Sequence, residues 1–87
     1  MAALFELRYH PDVEEKDLPK ISGGVKPKIR KAIEAKLARA PERFGEPLRR
    51  TLKGYWKLRV EDYRVIYKIQ GKSVTIFRIG HRREVYE

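Results

Sequence analysis

Lys57, Arg59, Arg64, His81, Arg82 and Arg83 are the side chains of this sequence whose types and spacing could do chemistry together. In residues 55–60, Trp56, Leu58 and Val60 alternate with Tyr55, Lys57 and Arg59. A period of two marks a half-buried strand, so the second set shares one face. In residues 63–69, Tyr63, Val65, Tyr67 and Ile69 alternate with Arg64, Ile66 and Lys68, which puts Arg64 and Lys68 on that same face when the aromatic set packs inward. A third apolar stretch, residues 74–79, ends at Gly80 and runs into His81-Arg82-Arg83. A basic sheet surface with Tyr55 and Tyr86 nearby can hold a phosphodiester through charge-assisted contacts and stack a base on an aromatic ring. The plainer reading is that any half-exposed antiparallel sheet alternates in this way, and each lysine or arginine taken singly reads as a solvated side chain. Trp56, Tyr63 and Tyr67 are in phase with the inward set and read as core. His81 follows a glycine among arginines, which is no core setting, whereas His10 beside Pro11 reads as structural.

Composition excludes other chemistries. The 87 residues contain no cysteine and two histidines, so disulfides, thiolate nucleophiles, thiolate zinc sites and histidine-rich metal sites are out, and neither a metal nor a cofactor is expected. The length suits one small domain over residues 1–87. No apolar run approaches a membrane span, and the first residues lack the features of a secretory signal, so a soluble, cytoplasmic protein without membrane contact is expected. The net charge is +9, and it is unevenly placed: residues 1–19 are net acidic, while residues 49–83 hold eleven basic and two acidic groups. A one-sided excess points to a polyanionic partner, either nucleic acid or an acidic protein. The chain also has no asparagine, one glutamine and 38% charged residues, an ion-rich and amide-poor bias seen in proteins of hot environments.

The elements that must position the basic side chains follow from periodicity. Phe5, Leu7 and Tyr9 alternate with Glu6 and Arg8, predicting a first strand over residues 3–9. Pro11 suits a first helical position and Asp12, Glu14 and Glu15 place acid in the first turn. Val13, Leu18 and Ile21 face inward on this short helix, which Pro19 kinks or restarts. After the turn at Ser22-Gly23-Gly24, Val25, Ile29, Ala32, Ile33, Lys36 and Leu37 form one helical face, apolar except for Lys36. Residues 41–54, with two prolines and two glycines, read as a loop with one turn of helix. Three strands follow, turned at Glu61-Asp62 and Gly71-Lys72. The order β-α-α-β-β-β predicts an α+β fold, a helical hairpin packed on one face of a small antiparallel sheet, with the other face partly open.

The run from Leu52 to Tyr67, with its Leu52-x-Gly54-x-Trp56-Lys57-Leu58-Arg59 and Tyr63-Arg64-Val65-Ile66-Tyr67 elements, together with Gly80-His81-Arg82-Arg83-Glu84-Val85-Tyr86, resembles the RelE/ParE superfamily of toxin–antitoxin toxins, and the RelE branch most closely. Residues 11–21 resemble that branch as well. The resemblance implies a microbial-RNase-like α+β fold and a ribosome-dependent endoribonuclease that cuts mRNA in the ribosomal A site, the nucleotide's own 2′-OH attacking the adjacent phosphate. It also implies a cognate antitoxin, an acidic amphipathic helix that wraps and blocks the toxin. On the matching positions, Lys57 is implied to stabilise phosphate charge and assist proton removal, Arg64 to hold the phosphate, Arg82 to sit near the leaving 5′ oxygen, and Tyr86 to stack on the base. Beside these, Lys53, Tyr55, Arg59 and Arg83 are expected as substrate contacts. Two positions depart from the pattern: Tyr55 and His81 stand where the best-known form has lysines. The first removes a cation. The second substitutes a side chain that titrates at about 6.5 and suits general acid or base work, so a proton-transfer role is expected of His81. The stretch after Gly80 is shorter than in the family, leaving Arg82 and Arg83 as alternative functional arginines. Two other readings share the fold: a ParE-like toxin that binds DNA gyrase without nuclease activity, and a silent relative that binds RNA or only its antitoxin.

Overall fold

The computed structural model describes residues 4–85, and in it the N-terminal alternation forms β1 (Glu6–Tyr9). A helical segment opens at Pro11, closed by His10: its carbonyl accepts from the Val13 N–H at 2.9 Å and its Nδ1 accepts from the Asp12 N–H at 3.1 Å. The segment is π-helical over Val13–Asp17 and tightens to a 3₁₀ turn over Leu18–Lys20, the change falling at Pro19, which has no N–H to donate. α1 (Lys26–Ala32) carries Pro27 in its first turn and continues as a π-helix over Ile33–Leu37. Ile29, Ile33 and Leu37 recur every four residues and are buried against the sheet. Lys36, the charged member of that face, is half-buried and sends its ammonium out to 5.8 Å from the ring of Phe44.

α2 (Pro41–Phe44), β2 (Glu46–Pro47) and a 3₁₀ turn (Arg50–Leu52) follow, then β3 (Trp56–Val60), β4 (Tyr63–Gln70) and β5 (Ser73–His81). The sheet order is β1-β5-β4-β3-β2. The expected α+β architecture stands, with two details that periodicity does not carry. β1 joins β5 in parallel, Tyr9 opposite Ile76, while every other pairing is antiparallel. The segment read as loop supplies a fifth strand, β2, in which Glu46 lies opposite Lys57. A strand of two residues, one of them a proline, is too short a run to show a period.

The main core lies between the helical segments and the inward side of β3, β4 and β5, where Leu58, Val60, Val65, Tyr67, Val74, Ile76 and Ile79 are buried. Tyr67 is completely buried and its hydroxyl donates to the Pro41 carbonyl at 2.6 Å. Burial pushes that hydroxyl well above its ordinary range. A β-carbon on Gly45 would fall on the same hydroxyl, so only glycine lets the chain pass from α2 into β2 this close to the sheet.

The expectation of a partly open second face is corrected. Leu48, Ile66 and Val85 form a second buried cluster there, flanked by Leu52 and Tyr55. The segment between β2 and β3 covers one part of the face, and the chain beyond β5 turns at residues 81–85 to lay Val85 against Gly80. A β-carbon on Gly80 would stand 2.7 Å from the Val85 side chain, so the glycine admits the cover. The pattern hid this because Leu48, Leu52 and Val85 stand outside any periodic run.

Candidate active site

The strand register lays out the second face in rows. Lys57 lies opposite Ile66, which lies opposite Arg78; Arg59 lies opposite Arg64, which lies opposite Gly80. Lys57 and Arg64 therefore occupy adjoining rows on neighbouring strands, as the alternation predicts. Both are buried, with 6% and 9% of their surface exposed. Lys57 is held beside β2, its Nζ 3.9 Å from the Glu46 carboxylate. Arg64 reaches beneath the β3–β4 hairpin, where Nη1 donates to the carbonyls of Tyr63 at 3.0 Å and Glu61 at 3.2 Å. That hairpin is a two-residue turn, and Glu61 takes a φ of 54° to close it. The arginine thus satisfies carbonyls of a turn that holds a non-glycine residue at positive φ.

Arg82 approaches the same turn from the exposed side. Its N–H donates to the Asp62 carbonyl at 2.8 Å and its Nε lies 3.9 Å from the Asp62 carboxylate. Of the two alternative arginines, Arg82 is the one tied to the hairpin that Arg64 supports. Arg83 is exposed within the following turn, its N–H donating to His81 Nδ1 at 3.2 Å. Arg59 is exposed opposite Arg64. Lys53 is exposed in the loop before β3. Tyr55 is half-buried, with Lys68 Nζ 5.1 Å from its ring.

Two sequence-derived positions do not join this group. His81 lies opposite Tyr63, with ring centroids 5.5 Å apart and edge to face, so it stands on the helix-packed side at the end of the sheet rather than among Lys57 and Arg64. The reason is parity: Gly80 faces the second side, and the next residue faces away. Tyr86 lies outside the described residues.

The structure adds Glu46, which the sequence pattern does not single out. With Pro47, Leu48, Arg49, Arg50 and Lys57 it lines a shallow pocket in which an exposed carboxylate stands next to a buried ammonium. A lone Glu-Pro in a loop carries no periodic signal, and its importance appears only once β2 pairs with β3.

A sequence profile described as the ParE toxin of type II toxin–antitoxin system, parDE, matches residues 7–86. The chain belongs to this toxin family, within the RelE/ParE superfamily. Toxin RelG of Mycobacterium tuberculosis is 42% identical over 52 residues, which make up 58% of this chain and 60% of RelG's length. The crystal structure of the toxin–antitoxin complex RelBE2 from the same organism matches with a TM-score of 0.84 and 31% identity over 91% of this chain and 99% of that one. The RelB–RelE antitoxin–toxin complex of Methanococcus jannaschii matches in fold, with a TM-score of 0.70 at 18% identity over 91% of this chain and 94% of the other. The resemblance read from the motifs, and the α+β fold it implied, are both supported by these matches. Among the described residues, no helix is long and apolar enough to cross a membrane.

Proposed function

We propose that this toxin-family member is an mRNA endoribonuclease that acts on translating ribosomes in the cytoplasm. The observation that supports this most directly is the burial of Lys57 and Arg64 in adjoining rows of a face that also buries Leu48, Ile66 and Val85, with a carboxylate 3.9 Å from the lysine. Phosphoryl transfer needs alignment and charge stabilisation above all, and fixed cations act most strongly on a phosphate where water is excluded. In this reading Glu46 accepts the proton of the 2′-OH as its oxygen attacks the adjacent phosphorus. Lys57 and Arg64 hold the non-bridging oxygens as charge builds, and Arg82 steadies the departing 5′ oxygen. That oxygen takes its proton from the imidazolium form of His81, in which Nδ1 also carries a proton and no longer accepts the Arg83 N–H. His81 can serve only a strand that passes round the end of the sheet, where Arg82 also stands. Arg59, Arg83, Lys53 and Tyr55 contact the flanking nucleotides, and Tyr86 stacks on the substrate base.

A cognate antitoxin completes the proposal. Several matching structures are toxin–antitoxin complexes. Here a groove between the two helical segments, floored by Leu18, Ile29, Ile33 and Ile79 and rimmed by Lys26 and Arg30 together with Glu14 and Glu34, suits the apolar face of an amphipathic helix.

The family description, a ParE toxin, favours a second reading in which the same fold poisons DNA gyrase by binding. Primer extension on mRNA in a purified translation system separates the two. Cuts that need translating ribosomes, and vanish in Lys57→Ala and Arg64→Ala, support the nuclease. Absence of cuts from folded protein, with gyrase inhibited instead, establishes the other. Within the nuclease reading, undiminished cleavage by His81→Gln removes His81 from the mechanism and leaves the remaining roles intact.

A further inference from the structure

One side of the second face carries a line of rings that the cleavage chemistry does not use. The Phe77 ring stands edge-on to Tyr55, with centroids 5.4 Å apart and planes at 74°, and lies 5.7 Å from the ring of His10. Three parts of the chain meet here: the start of β3, the middle of β5 and the residue after β1. Phe77 reaches this side through an irregularity. Ile66 pairs with Arg78 and Tyr67 pairs with Ile76, so Phe77 is the extra residue of a β-bulge. Val74, Ile76 and Ile79 of the same strand are buried on the other side. A bulge re-aims a side chain at the expense of a regular ladder. The ring it delivers remains half-exposed and belongs to neither buried cluster. His10 is fixed in place because its Nδ1 accepts the Asp12 N–H. The surroundings are cationic: Lys68 stands over Tyr55 at 5.1 Å, and Arg78 lies next to Phe77 in the strand.

Half-exposed rings bordered by cations are the elements from which proteins build sites for unpaired bases, since every base has a flat face to stack and a phosphate to neutralise. We infer that Tyr55, Phe77 and His10 form a stacking subsite for an unpaired RNA base adjoining the scissile phosphate, with Lys68 on the backbone. The inference rests on the reading of Lys57 and Arg64 as the cleavage centre, because that reading supplies the strand whose next base lands here. The subsite takes a base by its face, so it favours purines for their larger ring area and does not read base edges.

A short single-stranded RNA carrying 2-aminopurine beside a 2′-deoxy nucleotide, which blocks attack at that position, tests this directly. The native protein at low salt is expected to bind it and quench the 2-aminopurine fluorescence. Tyr55→Leu/Phe77→Leu is expected to lose the quenching and to bind roughly tenfold more weakly, with circular dichroism unchanged. Phe77→Leu alone, outside both buried clusters, reports even if the double variant fails to fold, and Phe77→Tyr restores the quenching. Quenching that survives the loss of both rings, or binding by the native protein without quenching, overturns the subsite. The cleavage reading is judged separately, by Lys57→Ala and Arg64→Ala on translating ribosomes. Failure of the native protein to bind the RNA at all overturns the subsite, and ribosome-dependent cuts would then leave the cleavage reading standing alone.

Discussion

The two faces of one sheet bury different things. Against the helices the sheet presents Val65, Tyr67, Val74 and Ile76, all fully buried and all apolar but for the one hydroxyl that Pro41 receives. On the other side a smaller cover, with Leu48, Ile66 and Val85 buried and Leu52 and Tyr55 packed against them, shares its face with a buried ammonium and a buried guanidinium. Withdrawing such ions from water costs several kcal/mol each, and apolar residues of similar volume at those positions are often neutral or stabilising. A cover laid over cations therefore does little for stability. It lowers the local dielectric and fixes the side chains, which strengthens their hold on any anion that enters. The helix face is organised to keep the protein folded, and the second face, on the function proposed above, to hold two charges in place.

The comparison can be broken or sharpened by substitution. The largest effect on stability is expected at Leu37 on the helix face, where Leu37→Ala should lower unfolding free energy by about 2–5 kcal/mol in urea titrations. On the second face Arg64→Ala should reduce ribosome-dependent cleavage by roughly 10²–10³-fold in primer extension, comparable to the loss of a group that stabilises transition-state charge. If Leu37→Ala instead reduced cleavage at temperatures where it remains folded, the division between faces would fail. Tyr67→Phe, which deprives the Pro41 carbonyl of its donor, should cost about 1–3 kcal/mol at neutral pH. It should also change the alkaline behaviour. The unfolded phenol ionises near pH 10, whereas burial raises the folded value, so native stability is intact below about pH 10 and falls as pH rises further. The Phe variant lacks that fall, measurable by unfolding at neutral pH and at about pH 11. Lys57→Met should leave stability within about 1 kcal/mol of the native value while abolishing cleavage, the sharpest test of what the second face is for. The smallest effect is expected at the exposed Lys28–Glu61 pair, 3.2 Å apart, where Lys28→Ala should cost about 0.2–1 kcal/mol and less at high salt.

Most of the fold was visible in the residues because its larger parts are periodic. The face of Ile29, Ile33 and Leu37, the alternation of Leu58 and Val60 with Lys57 and Arg59, and the turns at Glu61-Asp62 and Gly71-Lys72 are each local patterns with a single reading. The same alternation placed Lys57 and Arg64 together. What it missed depends on contacts between distant or aperiodic residues. β1's choice of a parallel partner is settled by which edge of the sheet is available. The covering of the second face comes from Leu48, Leu52 and Val85, three residues with no common spacing. Glu46 gains its place beside Lys57 from a two-residue strand, and His81 lost its place among the cations by a one-residue change of parity.

The parallel pairing of β1 with β5 also bears on when this molecule becomes whole. β1 comes first among the described strands in chain order, and β5, its partner, comes after the other four. The β3–β4 hairpin can close early, but until β5 emerges it has no strand on its inner edge and β1 has none at all. Long-range closure of this kind is slow, since the loop must be ordered before its contacts reward it. Val85, which packs over Gly80 on the second face, arrives later still. A chain still short of β5 therefore carries Lys57 and Arg64 on an isolated hairpin, in water and without the cover that Val85 completes. Burial of the two cations thus waits on β5 and on the turn that follows it.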